Sequence, residues 1–511
     1  MNGSKHIGII DIGSNSIRLV IYELTEQAAY RVIDESKESA RLSQRINEAG
    51  ILPDEELADI VDILRHFQLL CRASRVDRLR AVATAAIRNA ANSGEIVAKL
   101  EAATGLTIEV LSGEEEARLG FIATMNTLDI KDGFLVDIGG GSTEITLFLD
   151  RKLQHSVSLP FGAVNTAKRF TPGGHVTDTD IASIRHMIKQ ALEEHTWLRG
   201  HAGLPLIGLG GTFRTLAKVH QRQRKYSLPL THNYDLSREQ GDSLFHWIAS
   251  QPLAKRKKID GLSAERADII VPGIVILHTI FMQTEASHFI ISGSGLRDGL
   301  FFEMLYPQQP VLDDVLAHGV SNLLALHPSI PLNHVQQVNR LALKIADDLM
   351  KQGSGITASG LRLLSAAALL YRIGVSVSYY DYQKHTFYLI AHSRLGGLSH
   401  REIIKCALIA SYKSKSRNRQ QALAYKDLLN DTDLEETERL GTLLQLAIAL
   451  DRSETGPIAE VDALVKDIEL VVSCSIRHQP TIEKKEMQAI AKEFTKVWLL
   501  IPRLIVSDAS S

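Results

Sequence analysis

Phe134-Leu135-Val136-Asp137-Ile138-Gly139-Gly140-Gly141-Ser142-Thr143 is an apolar run that ends on an aspartate and breaks into a glycine-rich turn. A strand-like run, Ile145 to Leu149, follows at once. The same device stands near the start of the chain. Ile7 to Ile10 is apolar, Asp11-Ile12-Gly13-Ser14-Asn15-Ser16 is the turn, and Ile17 to Tyr22 is the returning strand. A shift of 126 positions lays Asp11-Ile12-Gly13 on Asp137-Ile138-Gly139 and Ser16 on Ser142. One such hairpin would be an ordinary turn, because Asp, Asn, Gly and Ser each favour turns for local reasons. Two in register, each with an aspartate closing the first strand, point to an internal duplication.

Outward from these loops, both halves alternate strands and helices. The first half adds strands at Tyr30 to Ile33, Leu79 to Ala83 and Ile108 to Leu111. Its helices fall at Leu57 to Leu70, Glu95 to Ala103 and from Gly113 onward. The second half adds strands at Pro205 to Leu209 and Phe289 to Ser292, with helices at Ile181 to Leu192, Thr212 to Val219 and Ala264 to Phe281. This pattern is mixed α/β, with helices covering both faces of a sheet. Tyr306-Pro307-Gln308-Gln309-Pro310 marks a boundary. Beyond it helices dominate: Val311 to Leu324, His334 to Met350, Leu361 to Leu370, Glu402 to Tyr412 and Glu435 to Leu450. Strands return near Ile468 to Cys474 and Val497 to Ile501. The expected division is 1–125, 126–305, a helical part at 311–455 and a small α+β tail at 456–511.

Composition limits the function. The chain has 511 residues, 45% hydrophobic and 23% charged, enough apolar content for several cores. Its net charge of -2 excludes a uniformly basic nucleic-acid binder. Cys71, Cys406 and Cys474 show no metal-ligand spacing and no disulfide framework, which suits a reducing cytoplasm. Met1 to Ile10 reads as a strand leading into Asp11 rather than a signal peptide. No run is expected to be long enough to span a membrane.

Each aspartate-closed loop is suited to phosphate. Turn glycines let backbone N–H groups converge on an anion, and a carboxylate beside them can hold Mg²⁺ directly or through water. Two facing loops, with Asp11 and Gly139 included, would clamp one phosphate-bearing ligand. Gly208-Leu209-Gly210-Gly211-Thr212 and Ser292-Gly293-Ser294-Gly295-Leu296-Arg297 put glycine backbone before a helix, where a ligand can approach. Ser112-Gly113-Glu114-Glu115-Glu116-Ala117-Arg118 opens a helix. Ser112 and Glu115 form a capping box, which explains acidity there without any chemistry. Glu116 is nonetheless placed where a general base could reach a cleft. Arg88, one turn past Thr84, could grip phosphate oxygens with its fork of donors. Lys413, Lys415, Arg417 and Arg419 alternate with Ser and Asn, either a solvated segment or a track for an extended polyanion. Basic clusters at Arg222 to Lys225 and Lys255 to Lys258 read as solvated loops or helix ends.

These segments together resemble the exopolyphosphatase / guanosine pentaphosphate phosphohydrolase family. The likeness is carried by the two loops, by Ala83-Thr84 through Arg88 and Asn92, and by Ser112 through Arg118. It extends to Gly210-Gly211-Thr212, Arg266 with Pro272-Gly273, and Gly295-Leu296-Arg297-Asp298-Gly299. The resemblance implies the actin-like ATPase superfold, two ribonuclease-H-like halves around a phosphate cleft. It implies the catalytic base at Glu116 and the metal at Asp137 and Glu144. Ser14, Asn15, Ser16, Arg88, Gly140, Gly141 and Ser142 would bind phosphate, with Gly210, Gly211, Thr212 and Arg266 as further ligand contacts.

The C-terminal half resembles the helical HD module of longer members. His334 stands where that module's first histidine belongs, but Tyr371 and Arg372 occupy the place of its His/carboxylate pair. Neither replaces a metal ligand, so a metal-free module is expected and an HD-type metal phosphohydrolase is disfavoured. The expected activity is Mg²⁺-dependent release of orthophosphate from the end of inorganic polyphosphate, with the rest of the chain running toward the C-terminal half. Guanosine pentaphosphate 5′-phosphohydrolase activity is the close alternative, and a nucleotide or alarmone sensor without turnover is the alternative of a different class. A sugar kinase fits the glycine segments less well. A cytoplasmic homodimer is expected.

Overall fold

A computed structural model describes residues 4–507. It divides into two compact units, Met1–Val315 and Leu316–Ser511.

The first unit holds two sheets. In one, β1 (Lys5–Ile12), β2 (Ile17–Leu24), β3 (Tyr30–Glu38), β4 (Arg78–Ala83) and β5 (Ile108–Val110) lie in the order β3-β2-β1-β4-β5. In the other are β6 (Gly133–Ile138), β7 (Thr143–Leu149), β8 (Lys152–Leu159), β9 (Leu206–Leu209), β10 (Tyr234–Ser237) and β11 (His288–Ile291). Their order is β10-β11-β9-β6-β7-β8. Matching β6 to β1, the second sheet repeats the first and adds β10 at one edge. In both, a three-stranded antiparallel meander continues into parallel strands. The duplication inferred from two turns therefore extends to the whole sheet topology.

The helix Gly113–Met125 is buried on two sides. Leu119 and Ile122 pack with Ile7 and Ile9 of the first sheet, while Phe121 and Met125 pack with Leu135 and Phe148 of the second. A helix apolar on both faces belongs between layers. The helix Leu296–Leu305 crosses it so closely that a Cβ on Gly299 would lie 2.1 Å from the Leu119 carbonyl oxygen. It packs on the first sheet, where Phe301 stacks on Tyr22 at 3.9 Å between centroids. Glu116 is thus carried on a rod wedged between the two halves.

The second unit is mainly helical and ends in a sheet of β12 (Ile458–Lys466), β13 (Glu469–Ile476) and β14 (Ile501–Ser507). Residues 508–511 of the expected tail, and Met1 to Gly3 at the start, lie outside the described residues.

Several local expectations need correction. The strand expected at Val497 to Ile501 starts only at Ile501, because Val497 and Trp498 finish the helix Thr481–Trp498 and Leu499, at φ 58°, turns the chain. The helix expected from Val311 begins at Val315, and that expected from Ala264 begins at Ile270 after a short turn. Strand β8 had no turn signal: Asp150 and Arg151 adopt φ 49° and 56°, a left-handed pair that sequence normally marks with Asn-Gly or Asp-Gly. Arg256, read as solvated, is buried and donates to the carbonyls of Ala267 and Gly174. The stretch Ala358–Ser376 does reach the length and apolarity of a membrane span, contrary to expectation, but 56% of it is buried inside the protein. All three cysteines are buried, and the described residues contain no disulfide.

Candidate active site

The two loops are the same device built twice. Gly13 N–H donates to Ser16 O at 3.2 Å, and Gly139 N–H donates to Ser142 O at 3.0 Å. On the outer side, Ser14 O and Asn15 O accept from Ser43 and Arg41. Gly139 O and Gly140 O accept from Ala163, Val164 and Asn165 at the start of the helix Ala163–Phe170. Tying back the carbonyls leaves the amides. Among the described residues no acceptor takes the N–H groups of Ser14, Asn15, Ser16, Gly140, Gly141 or Ser142. Such orphan donors are rare unless a ligand accepts them. The loops also touch: a Cβ on Gly140 would lie 2.9 Å from Ser14 Cβ, and one on Gly141 2.9 Å from Ser14 Oγ. Glycine at both positions is a condition for the loops to close on each other.

Asp137 and Glu144 face each other across β6 and β7, so their side chains share one side of the sheet. Glu144 is buried and accepts from Ser158 Oγ on β8 at 2.7 Å. Ser158 in turn lies under the start of the Gly113 helix, since a Cβ on Gly113 would fall 2.3 Å from Ser158 Cβ. This contact sets the helix, and Glu116 with it, beside the carboxylate pair. Within the first turn the roles divide. Ser112 Oγ accepts from Glu115 N–H at 3.2 Å and Glu115 Oε2 accepts from Ser112 N–H at 2.7 Å, the expected capping box. Glu116 takes no part in it. It lines the cleft and pairs with Arg88, which also donates to Leu111 O at 2.8 Å.

The carboxylates are poised to hold protons. Burial, partly offset by Arg214, raises Asp137 to about 6. Burial and then Asp137 raise Glu144 to about 7. Burial and the negative charge of Glu144 push Glu116 well above the usual carboxylate range. The helix dipole and Arg88 favour ionised Glu116, and desolvation and like charge outweigh them. Among the described residues no three His, Cys, Asp or Glu side chains form a complete cation site. Two buried carboxylates with hard oxygens fit Mg²⁺, which keeps waters and takes further ligands from substrate phosphates.

Arg18, Arg214, Arg266 and Arg297 line the same cavity, of about 170 Å³, as Asp11, Glu116 and Asp137. Burial and the neighbouring guanidiniums pull Arg18 and Arg266 down to about 10, and Arg214 is lowered by burial and then Arg297. Arg297 is raised on balance, burial being outweighed by Asp11 and Glu35. Arg266 lies flat on Gly211, whose Cβ would come 2.1 Å from Nη1, and its buried Nε has no acceptor among the described residues. Gly210, at φ 83°, puts its backbone where a Cβ would be 2.7 Å from Asp137 Oδ1. Four desolvated, mutually repelling cations form a site for a multiply charged anion.

The structure brings Asp11, Ser14, Asn15, Ser16, Glu116, Asp137, Gly139, Gly140, Ser142, Gly210, Gly211 and Arg266 to one cavity. Glu144 lies behind Asp137, and Gly141 fills the contact between the loops. Two assignments change. Arg88 does not line the cavity but grips Glu116. Thr212 is fully buried and does not line the cavity: its hydroxyl stands 2.6 Å from where a Gly273 Cβ would be and has no hydrogen-bond partner among the described residues. Arg18 and Arg214 were not singled out, and Arg297 and Asp298 entered only within segments, without a role. No local pattern marks an arginine on a strand or mid-helix as part of a distant cleft.

In the second unit, His334 Nδ1 pairs with Asp451 Oδ2 at 2.7 Å and its Nε2 bonds the Tyr371 hydroxyl. Asp451, absent from the sequence reading, is buried and is the acid that His334 meets. The basic segment is less available than expected. Lys415 and Arg419 both pair with the buried Glu438, the former at 3.2 Å, while Lys413 and Arg417 are exposed.

Comparison with known proteins agrees with this geometry. Residues 20–307 match the Ppx/GppA phosphatase family, and residues 318–504 match domain III of Ppx/GppA phosphatases. A solved Ppx/GppA family member from Aquifex aeolicus is 28% identical, covers 60% of this chain and 99% of its own, and superposes with a TM-score of 0.52. A solved exopolyphosphatase from Cytophaga hutchinsonii is 22% identical, covers 60% of this chain and 100% of its own, and has a TM-score of 0.56. The actin-like fold is the architecture these chains share, and the helical C-terminal unit is matched by the domain III family model.

Proposed function

The chain belongs to the Ppx/GppA phosphatase family, and we propose that it hydrolyses the terminal phosphoanhydride of inorganic polyphosphate, releasing orthophosphate. The observation that carries this reading is the pairing of six unclaimed amides on the two loops with four partly buried arginines in the cavity those loops border. Nothing aromatic lines that cavity, whose polar groups are guanidinium, carboxylate, hydroxyl and backbone amide. Recognition by charge and amides alone suits an inorganic chain better than guanosine pentaphosphate.

In this reading the amides of Ser14 to Ser16 and Gly140 to Ser142 hold the non-bridging oxygens of the terminal phosphoryl. Arg18, Arg214, Arg266 and Arg297 offset the charge that spreads as the bridging bond loosens. Asp137 and Glu144 would hold Mg²⁺, which when bound neutralises phosphoryl charge. In its ionised form, which burial and Glu144 oppose and Arg88 supports, Glu116 accepts a proton from the attacking water. The new bond joins water oxygen to phosphorus, the bridging P–O bond breaks, and the electron pair leaves on the shortened chain. Arg88 keeps the Glu116 carboxylate aimed.

The test is orthophosphate release by purified protein from long polyphosphate and from guanosine pentaphosphate, each with Mg²⁺. A higher kcat/KM on polyphosphate is expected. Turnover confined to guanosine pentaphosphate would overturn the substrate assignment and leave the site intact.

A further inference from the structure

The remnant centre of the second unit opens into a cavity of about 200 Å³, similar in size to the phosphate cleft. Its floor is a closed chain of polar contacts. Asp451 accepts from His334 Nδ1, which leaves Nε2 to accept from the Tyr371 hydroxyl. Tyr371 is also bonded by Arg372, and Arg372 pairs with Glu454. Each member has a partner within the protein. A polar chain of this kind, fully connected, holds its side chains in one arrangement.

The walls differ from the floor. Tyr379, Tyr382, Ile448, Ala449 and Ile490 supply the cavity's aromatic and apolar lining. Gln445 spends its amide N–H on Tyr412 O at 3.0 Å, which leaves its carbonyl as an acceptor, and Glu486 is a second acceptor in the lining. At the mouth, Arg452 is exposed and has no carboxylate partner among the described residues. It is close enough to bias the Tyr382 phenol. Tyr379 is 61% exposed, an aromatic face left open at the same rim.

We propose that this pocket binds a nucleoside phosphate without hydrolysing it. The planar base enters the tyrosine-lined slot, its ring or amino N–H groups meet Gln445 and Glu486, and the phosphate stays at the mouth on Arg452. Flat aromatic walls favour a flat ring. Paired acceptors select a base that carries N–H donors, and a guanidinium at the rim suits phosphate. With the metal pair replaced by Tyr371 and Arg372, the bound ligand meets no activated water. The two units of the chain would then divide the chemistry, an inorganic phosphate cleft in the first and a nucleotide pocket in the second.

The experiment is equilibrium binding to the full-length protein by titration calorimetry, with ADP and GDP as probes and orthophosphate and tripolyphosphate as controls. At least one nucleotide should bind at one site per chain, remain intact, and resist displacement by tripolyphosphate. Arg452→Ala, at an exposed position that the fold does not need, should weaken binding about tenfold or more, the loss of a charged hydrogen bond. Tyr382→Ala should weaken it as well, and Arg214→Gln should leave it unchanged. Three results would overturn the proposal: no saturable binding of either nucleotide, orthophosphate binding as tightly, or loss of binding in Arg214→Gln, which would place the ligand in the catalytic cleft. Since the probes and variants are separate from those used on polyphosphate, failure here leaves the first unit's assignment untouched.

Discussion

Glu116→Gln separates the chemistry of this side chain from its place in the helix. Glutamine keeps the size and can still accept from Arg88 but cannot take a proton. Loss of a general base lowers turnover by about 10²–10⁴-fold, a barrier change of about 3–5 kcal/mol. Stability should change far less, for two opposed reasons. The ion pair with Arg88 is lost, and a charge-assisted hydrogen bond contributes about 1.5–3 kcal/mol. Removing the acid also removes a buried group whose ionisation burial and Glu144 both oppose. Arg88 retains its bond to Leu111 O at 2.8 Å, so it is not left without an acceptor. The control lies one residue away. Glu115→Gln keeps the amide oxygen that caps Ser112 and has no view of the cavity, so its kcat should match that of the unmodified protein. The assay is steady-state orthophosphate release from polyphosphate at saturating Mg²⁺, with melting temperature measured on the same samples. A folded Glu116→Gln protein with near-normal kcat would refute the general-base role, as would an equal loss in Glu115→Gln.

Three further outcomes are expected. Gly210→Ala forces a side chain into a left-handed backbone and to within 2.7 Å of Asp137 Oδ1, so it should raise the Mg²⁺ concentration needed for activity more than it lowers the melting temperature. The pH dependence of stability follows from Asp137 at about 6 and Glu144 at about 7. Both are raised above their unfolded values, so the cation-free native state holds more protons than the unfolded chain, and stability falls as pH rises from about 4 to about 7. Mg²⁺ should reverse this loss, so the melting-temperature gain it gives should be larger at pH 8 than at pH 5.5, and an equal gain at both would count against these ligands. Finally, Lys415→Ala with Arg419→Ala strands the buried Glu438 and should destabilise the protein by about 3–5 kcal/mol in denaturant titrations. Lys413→Ala with Arg417→Ala should leave stability alone and flatten the salt dependence of long-polyphosphate binding if these two hold the chain.

What the sequence determined by itself was local and repeated. An apolar strand, an aspartate and a glycine turn can be read because strand period and turn chemistry act over a few residues, and a second copy 126 positions later excludes coincidence. The Ser112–Glu115 capping box was legible for the same reason, and so was the loss of the metal pair at Tyr371 and Arg372. The family resemblance pointed to Glu116, and only the tertiary structure gives the physical reason why that acid of the first turn faces the cleft. That choice depends on Gly113 pressing against Ser158, a contact between elements 45 positions apart that no periodicity records. It also decided that Arg88 serves Glu116, that Arg18, Arg214, Arg266 and Arg297 converge, and that His334 meets Asp451 across 117 positions. An isolated arginine or aspartate looks the same in sequence whether solvent or a buried partner awaits it. Packing alone removes the water and so gives those charges their chemistry.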